Sequence, residues 1–153
     1  MIQIERFRHI AIVVSDLEPM LQFYTQILGF QIKRQFDIQS EDFRKGIGIA
    51  NAKARGVHLS VPGGVEIELF QFLEPRSDPI ISPASPNRQG FRHIALVVSD
   101  LQKSYYDLVA KGVNFFSAPV VVKEPKEVAG FQFVYLRDPE GNIIELNQLP
   151  KGA

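Results

Sequence analysis

Four side chains that can ligate a metal ion occupy matching places in two halves of the sequence: His9, Glu68, His93 and Glu145. Imidazole nitrogen and carboxylate oxygen are ligands of divalent transition metals, and two of each give a site whose net charge is near zero once the ion is bound. Without a metal, two carboxylates in an apolar cleft would repel each other and one would stay protonated. The residue types therefore predict one divalent ion (zinc, nickel, cobalt, manganese or ferrous iron) with room for water or substrate.

The pairing of these residues follows from an internal repeat. The sequence of residues 7–17 returns at residues 91–101 with an offset of 84, and ten of the eleven positions are identical. A shorter repeat relates residues 64–69 to residues 141–146 with an offset of 77. Equivalent residues of a duplicated fold lie at equivalent places. Each histidine is thus predicted on the first strand of its copy and each glutamate on the last, with all four facing one shared cleft.

The first copy reads as one strand, one helix and three further strands. An apolar, β-branched run at 8–14 predicts a buried strand, and Asp16 then offers N-cap chemistry for a helix that ends at Gly29. A second strand is predicted from 30 to 38, and the polar segment 39–46 is predicted to be a loop. A hairpin of strands 55–61 and 65–72 turns at Pro62-Gly63-Gly64.

The second copy repeats this order, so the chain is predicted to be an α+β protein of two tandem βαβββ modules. Its helix begins at Asp100 and ends at Gly112. Between the copies, residues 74–90 contain four prolines and are predicted to be a linker. The predicted organisation is a first module at 1–73, this proline-rich linker at 74–90 and a second module at 91–153, together forming one structural domain. The predicted strands of the second module cover residues 113–116, 131–136 and 143–149.

Several neighbours of the four candidate ligands are predicted to line the same cleft. Side chains alternate between the two faces of a strand, so residues an even number of positions from a ligand share its face. This rule selects Glu66, Phe70, Phe72 and Asn147. His58, on a strand of the first copy, has no histidine counterpart in the second and is interpreted as a structural or pocket-wall residue.

Composition excludes several other classes of function. Lysine plus arginine equals aspartate plus glutamate at 17 each, so no global field favours nucleic acid as a partner. No apolar run approaches the roughly 20 residues that span a bilayer, and the N-terminus lacks a signal-peptide pattern, so no membrane association and a cytoplasmic location are expected. The absence of cysteine excludes thiolate metal sites, disulfides and cysteine nucleophiles.

The same motifs resemble those of the vicinal oxygen chelate superfamily, which includes glyoxalase I, methylmalonyl-CoA epimerase, extradiol dioxygenases and bleomycin resistance proteins. The resemblance lies in residues 9–17, Phe23-Tyr24, residues 28–30 and the closing segment 138–146. It implies paired βαβββ modules that form a half-open barrel around a metal ion. It also implies a small-molecule substrate with vicinal oxygen atoms and assembly as a homodimer. The expected ligands are His9, Glu68, His93 and Glu145.

The resemblance favours lyase or isomerase chemistry, with a proton moved next to a metal-chelated carbonyl by Glu145 or Glu68. Val13 and Phe72 stand where glyoxalase I has an arginine and an asparagine for glutathione, which argues against glutathione thioacetals as substrates. Two alternatives remain open from sequence. One is an iron-dependent extradiol-type dioxygenase, and the other is a non-catalytic protein that binds a small molecule or an antibiotic. The sequence also leaves open whether the modules pair within one chain or across a dimer.

Overall fold

The computed structural model describes residues 2–78 and 85–150, which belong to two compact units, Met1–Pro79 and Ile80–Ala153. Each unit contains one of the predicted modules, and the boundary between the units falls inside the predicted linker. Strands and helices together confirm the α+β class. Within the described residues, no helix is long and apolar enough to cross a membrane.

The first unit is a four-stranded sheet with the strand order β1-β4-β3-β2. Strand β1 pairs with β4 in parallel, whereas β3 pairs with β4 and with β2 in the antiparallel sense. Its first and last strands are therefore neighbours, which brings residues from both ends of the module side by side. The elements are β1 (His9–Val13), α1 (Leu17–Gln22) with a π-helical turn (Phe23–Ile27), β2 (Gln31–Ile38), α2 (Glu41–Ile47), β3 (Lys53–Ser60) and β4 (Glu66–Glu74).

The second unit repeats this topology in a sheet with the order β5-β9-β8-β6. Strand β5 pairs with β9 in parallel, as β1 does with β4. A two-residue strand that the sequence did not predict, β7, adds to β8. The elements are β5 (His93–Val97), α3 (Leu101–Ala110), β6 (Asn114–Phe115), β7 (Val120–Val121), a 3₁₀ turn (Lys126–Val128), β8 (Gln132–Arg137) and β9 (Ile143–Gln148).

Both modules attach their helix to the sheet in the same way. The Asp16 and Asp100 side chains accept backbone N–H groups of the first helical turn, as predicted. In each module, a glutamine side chain of the last strand accepts a hydrogen bond from the backbone N–H of the first helical residue. Gln71 accepts it from Leu17, and Gln148 accepts it from Leu101. Apolar residues of the helix and sheet fill the core of each module, among them Met20, Tyr24, Leu59 and Leu69 in the first and Leu101, Leu136, Ile144 and Leu146 in the second.

The prediction of a loop at 39–46 is wrong, because residues Glu41–Ile47 form helix α2. The Ser40 hydroxyl accepts from the Phe43 N–H at 3.2 Å, which caps the helix, and Gly48 ends it in the left-handed region with φ 72°. No residue of α2 is buried. Because the helix has no wide apolar stripe, its sequence lacks the hydrophobic period by which helices are recognised.

Candidate metal centre

In the first module, parallel pairing of β1 with β4 brings the predicted histidine and glutamate together. The Nε2 atom of His9 lies 3.5 Å from Oε2 of Glu68. The second ring nitrogen of His9, Nδ1, is buried and has no hydrogen-bond partner among the residues that the structure describes. Both side chains are only partly exposed, at 30% for His9 and 13% for Glu68. A histidine and a carboxylate are thus held next to each other with limited access to water.

The second module forms the equivalent pair from β5 and β9. His93 Nε2 lies 3.1 Å from Oε2 of Glu145, and Glu145 is buried. The amide nitrogen of Asn147, in the orientation that gives both ends of its amide a partner, donates to Oε1 of Glu145 at 2.8 Å. Asn147 therefore faces the candidate ligand, as its position two residues away predicts.

The donor atoms of each pair have a separation that suits a shared metal ion. Two ligands about 2.0–2.2 Å from an ion in tetrahedral or octahedral geometry lie roughly 3–3.5 Å apart. The observed distances of 3.5 Å and 3.1 Å agree with this range. Each pair supplies only two donors, fewer than a protein site for zinc usually has. Consistent with this, the part of the chain that the structure describes contains no group of three or more His, Asp or Glu side chains arranged to hold a metal ion.

His58 is part of the site of the first module and is almost fully buried, at 3% exposure. It lies on β3 directly opposite Glu68. Its Nε2 is 3.0 Å from Oε1 of Glu68, and its Nδ1 is 2.8 Å from Oε2 of Glu66. The two oxygens of Glu68 therefore face different imidazoles, since Oε2 faces His9. His58 fixes the orientation of a candidate ligand, a role that supporting residues of metal sites commonly have.

Glu66 is held in turn by a cation. The Lys33 ammonium group forms an ion pair with Oε1 of Glu66 while His58 bonds to Oε2. The Lys33 hydrogen bond, followed by the His58 hydrogen bond, lowers the pKa of the Glu66 carboxyl below its ordinary value. Glu66, a predicted pocket residue, thus contacts His58 through the ring nitrogen opposite the one that faces Glu68.

Tyr135 occupies the place in the second module that His58 has in the first. It lies on β8 directly opposite Glu145, and its ring centroid is 5.4 Å from that of His93, much as His58 is 5.3 Å from His9. Burial, and then the negative charge of Glu145 and a hydrogen bond to it, raise the pKa of the Tyr135 phenol above its ordinary value. The phenol is therefore neutral near pH 7 and can donate its proton to Glu145 in a hydrogen bond.

An aromatic wall adjoins the donors of the first module. The Phe70 ring contacts Phe36, Phe43 and Phe72, with centroid distances of 5.1–6.0 Å. Gly56 makes this packing possible, because a Cβ atom there would lie 2.5 Å from Phe36 Cζ and 3.0 Å from Phe70 Cδ2. The predicted pocket residues Phe70 and Phe72 thus belong to one cluster on the face that carries Glu68.

Comparison with known proteins identifies the family. The family model described as Glyoxalase/Bleomycin resistance protein/Dioxygenase superfamily matches residues 6–146. The chain belongs to this superfamily. The resemblance of its motifs is thereby confirmed, and the match spans both modules of this glyoxalase-superfamily chain.

Individual relatives support the same assignment. The chain is 32% identical to the uncharacterized protein YwkD of Bacillus subtilis, covering 94% of this chain and 96% of that protein. It is 28% identical to a 2-epi-5-epi-valiolone epimerase of an Actinomyces species, covering 95% of this chain and 80% of that enzyme. A crystal structure of a glyoxalase family protein from Bacillus cereus superposes with a TM-score of 0.83 at 22% identity, covering 97% and 96% of the two chains, which shows a shared fold.

Sequence reasoning missed Tyr135 as a member of this glyoxalase-superfamily site. The sequence could have identified this position, because the offset of 77 that relates Glu68 to Glu145 also relates His58 to Tyr135. The two residues are not identical, since one copy has an imidazole where the other has a phenol, so the repeat does not mark them as a pair. The contacts of Lys33 and Arg34 with the site depend on the register between β2 and β3, including its irregularity between Ile32 and Arg34, and the motifs carry no signal for them.

Proposed function

We propose that the chain is a divalent-metal-dependent isomerase or lyase in which His9, Glu68, His93 and Glu145 bind one metal ion. The observation that supports the proposal most directly is the repeated His–Glu pair, with donor atoms 3.5 Å apart in one module and 3.1 Å apart in the other. Each pair alone is half of a typical ligand set. Two imidazoles and two carboxylates together would give a complete site that is close to neutral.

The proposed substrate is a small molecule with vicinal oxygen atoms, one of them a carbonyl oxygen. When bound, the metal ion would act as a Lewis acid that polarises this carbonyl and acidifies the adjacent C–H group. The likeness to an epimerase favours a reaction that removes and returns a proton at such a carbon.

The protein's own residues would move the proton. A carboxylate of Glu68 or Glu145 would take the proton from the substrate carbon. The same carboxylate would return it to the neighbouring carbon in an isomerase, or the other carboxylate would supply a proton to the opposite face of the same carbon in an epimerase. His58 holds Glu68, whereas Tyr135 and Asn147 hold Glu145, so each candidate base keeps a fixed orientation. The aromatic wall around Phe70 limits access of water, which would otherwise compete for the proton.

Metal content tests the proposal. Protein purified without a metal-affinity tag should contain about one divalent ion per chain by elemental analysis. His9→Ala and Glu145→Ala should each lose this ion after dialysis. Glu74→Ala is the matched control, because it removes an exposed carboxylate from the same strand as Glu68 and should retain the metal.

Three outcomes would contradict the proposal. Equal metal content in the wild type and in both ligand variants would mean that these residues do not hold the ion. Oxygen uptake by the iron-loaded protein with a catechol would indicate a dioxygenase. Unchanged binding of a small-molecule ligand by the metal-stripped protein would indicate a metal-independent binding protein.

A further inference from the structure

We propose that Arg34 is the substrate's anion-binding residue, so that the substrate carries a carboxylate or phosphate group next to the oxygens that chelate the metal. This inference rests on the proposed function of the same site and narrows its class of substrate. It starts from a cation in the first module that forms no ion pair with any acidic side chain in the described part of the chain.

Strand β2 places two consecutive cations beside the candidate ligand of the first module. Lys33 forms an ion pair with Glu66. Arg34 instead has two other contacts: its NH2 nitrogen lies 3.2 Å from His58 Nε2, and its guanidinium carbon lies 5.1 Å from the centre of the Phe36 ring. Within residues 2–78 and 85–150, no carboxylate is within ion-pairing distance of Arg34.

The position of Arg34 relates it directly to the metal ligands. Arg34 pairs with His58 across the two strands, and His58 pairs with Glu68, so the three residues form one row across the sheet. The guanidinium group and Oε1 of Glu68 both lie within hydrogen-bonding distance of the same atom, His58 Nε2. An anionic group bound by Arg34 would thus lie a few ångströms from the candidate metal centre.

The chemistry of arginine defines what can bind there. A guanidinium group has five N–H donors in a planar fork, which matches the two oxygens of a carboxylate or phosphate. The contact with His58 occupies one edge of this fork and leaves other N–H groups available. The guanidinium group also lies over the Phe36 ring, with its carbon 5.1 Å from the ring centre, and this cation–π contact uses none of its N–H donors.

In the second module, Phe116 stands opposite Tyr135 where the first module has Arg34 opposite His58, so among the described residues this row holds no equivalent cation. Arg137, on β8, donates to the Gly141 carbonyl at 2.9 Å and lies 4.4 Å from the centre of the Phe116 ring. Its guanidinium group therefore already has a backbone acceptor. This asymmetry assigns recognition of the anionic group to the first module.

A set of three 2-hydroxy acids tests the assignment. Glycerate, malate and 3-phosphoglycerate share a hydroxyl and a carboxylate that can chelate a metal, but only malate and 3-phosphoglycerate carry a second anionic group. Their dissociation constants are measured by calorimetry on manganese-loaded protein at one fixed ionic strength, since salt screens such contacts. Whether malate or 3-phosphoglycerate binds more tightly identifies whether the group recognised is a carboxylate or a phosphate.

The wild type should bind malate or 3-phosphoglycerate more tightly than glycerate. Arg34→Gln should raise the dissociation constant of that ligand by about 10-fold to 100-fold and leave the dissociation constant of glycerate unchanged. Arg34→Lys should restore part of the preference, because the ammonium group keeps the charge but not the planar fork. The matched control is Lys53→Gln, which removes one exposed cation from the neighbouring strand β3 and should change none of the three constants.

The metal content of every variant is measured first, which separates the two proposals. A wild type that holds no metal overturns the proposed function and this inference with it. A metal-loaded wild type that binds neither malate nor 3-phosphoglycerate more tightly than glycerate overturns the inference alone. So does an Arg34→Gln variant that keeps the full preference.

Discussion

The two modules share a backbone plan but surround their candidate ligands with different chemistry. In the first module, Glu68 faces a buried imidazole that is itself tied to a carboxylate and an ammonium group. In the second, Glu145 is held by a neutral phenol and an amide. After duplication, the donor atoms were kept while their supports diverged. The two modules thus agree in the His–Glu pair, to which the proposed function assigns a metal ion, and differ in the groups that hold its carboxylate.

The largest loss of stability is expected from substitutions in the core, where the two modules are still alike. Leu69 and Leu146 are equivalent, and both are almost completely buried. Leu69→Ala and Leu146→Ala should each lower the free energy of unfolding by about 2–5 kcal/mol, because each removes buried methyl groups and leaves a cavity. Urea unfolding measures this loss. The control is Leu73→Ala on the same strand as Leu69, where the side chain is 44% exposed and the loss should be much smaller.

A second experiment separates the supports of the two carboxylates. His58→Phe removes a buried imidazole that contacts Glu66, Glu68 and Arg34, and should cost about 2–3 kcal/mol of unfolding free energy, since several polar contacts are lost together. Tyr135→Phe should cost only about 1 kcal/mol, because Glu145 keeps Asn147 and His93 as partners. Urea unfolding in the presence of a chelator measures both. Equal losses would contradict the proposed difference between the modules.

The third experiment concerns the aromatic wall. Gly56 corresponds to Phe133 in the second module, so only the first leaves this face of the strand open for neighbouring rings. Gly56→Ala should cost about 1–3 kcal/mol, because the new methyl group would displace the Phe36 or Phe70 ring. Thermal unfolding measures the cost. A stabilised variant would show that the rings move without penalty, with only the strand preference of alanine over glycine remaining.

The smallest difference is expected at the glutamines that attach the helices. The Gln71 side chain accepts hydrogen bonds from the Leu17 N–H and the Arg55 guanidinium group, and donates one to the Ser15 carbonyl. The Gln148 side chain accepts a hydrogen bond from the Leu101 N–H. Gln71→Ala should therefore destabilise the protein by about 1–2 kcal/mol and Gln148→Ala by about 1 kcal/mol. Urea unfolding of the two variants side by side tests the order. A larger loss in Gln148→Ala would reverse it.

Much of the candidate site could be predicted because its residues occur at equivalent positions in both copies of the repeat. The repeated first strand and the repeat around Glu68 and Glu145 predict both His–Glu pairs from the sequence alone. The convergence of the two pairs on one ion stays a prediction, as do the half-open barrel, the homodimer and the single structural domain.

Features that occur in only one copy were harder to predict. Helix α2 has a capping serine and a terminal glycine, but with no buried residue it shows no helical hydrophobic period. The row from Arg34 through His58 to Glu68 depends on pairing between strands that are distant in sequence. Residue types and local spacing do not encode that register, so no motif could have revealed it.

Parallel pairing of the first and last strands has a consequence for how the site is made. Because each histidine comes from the opening strand of its module and each glutamate from the closing one, no partial module can bring the two donors together. During synthesis, the histidine and glutamate of a module can come into contact only after nearly the whole module has been translated. Such non-local contacts form late in folding, because closing the intervening chain costs conformational entropy. In the proposed function, a metal ion would therefore be bound only after the first and last strands of a module have paired.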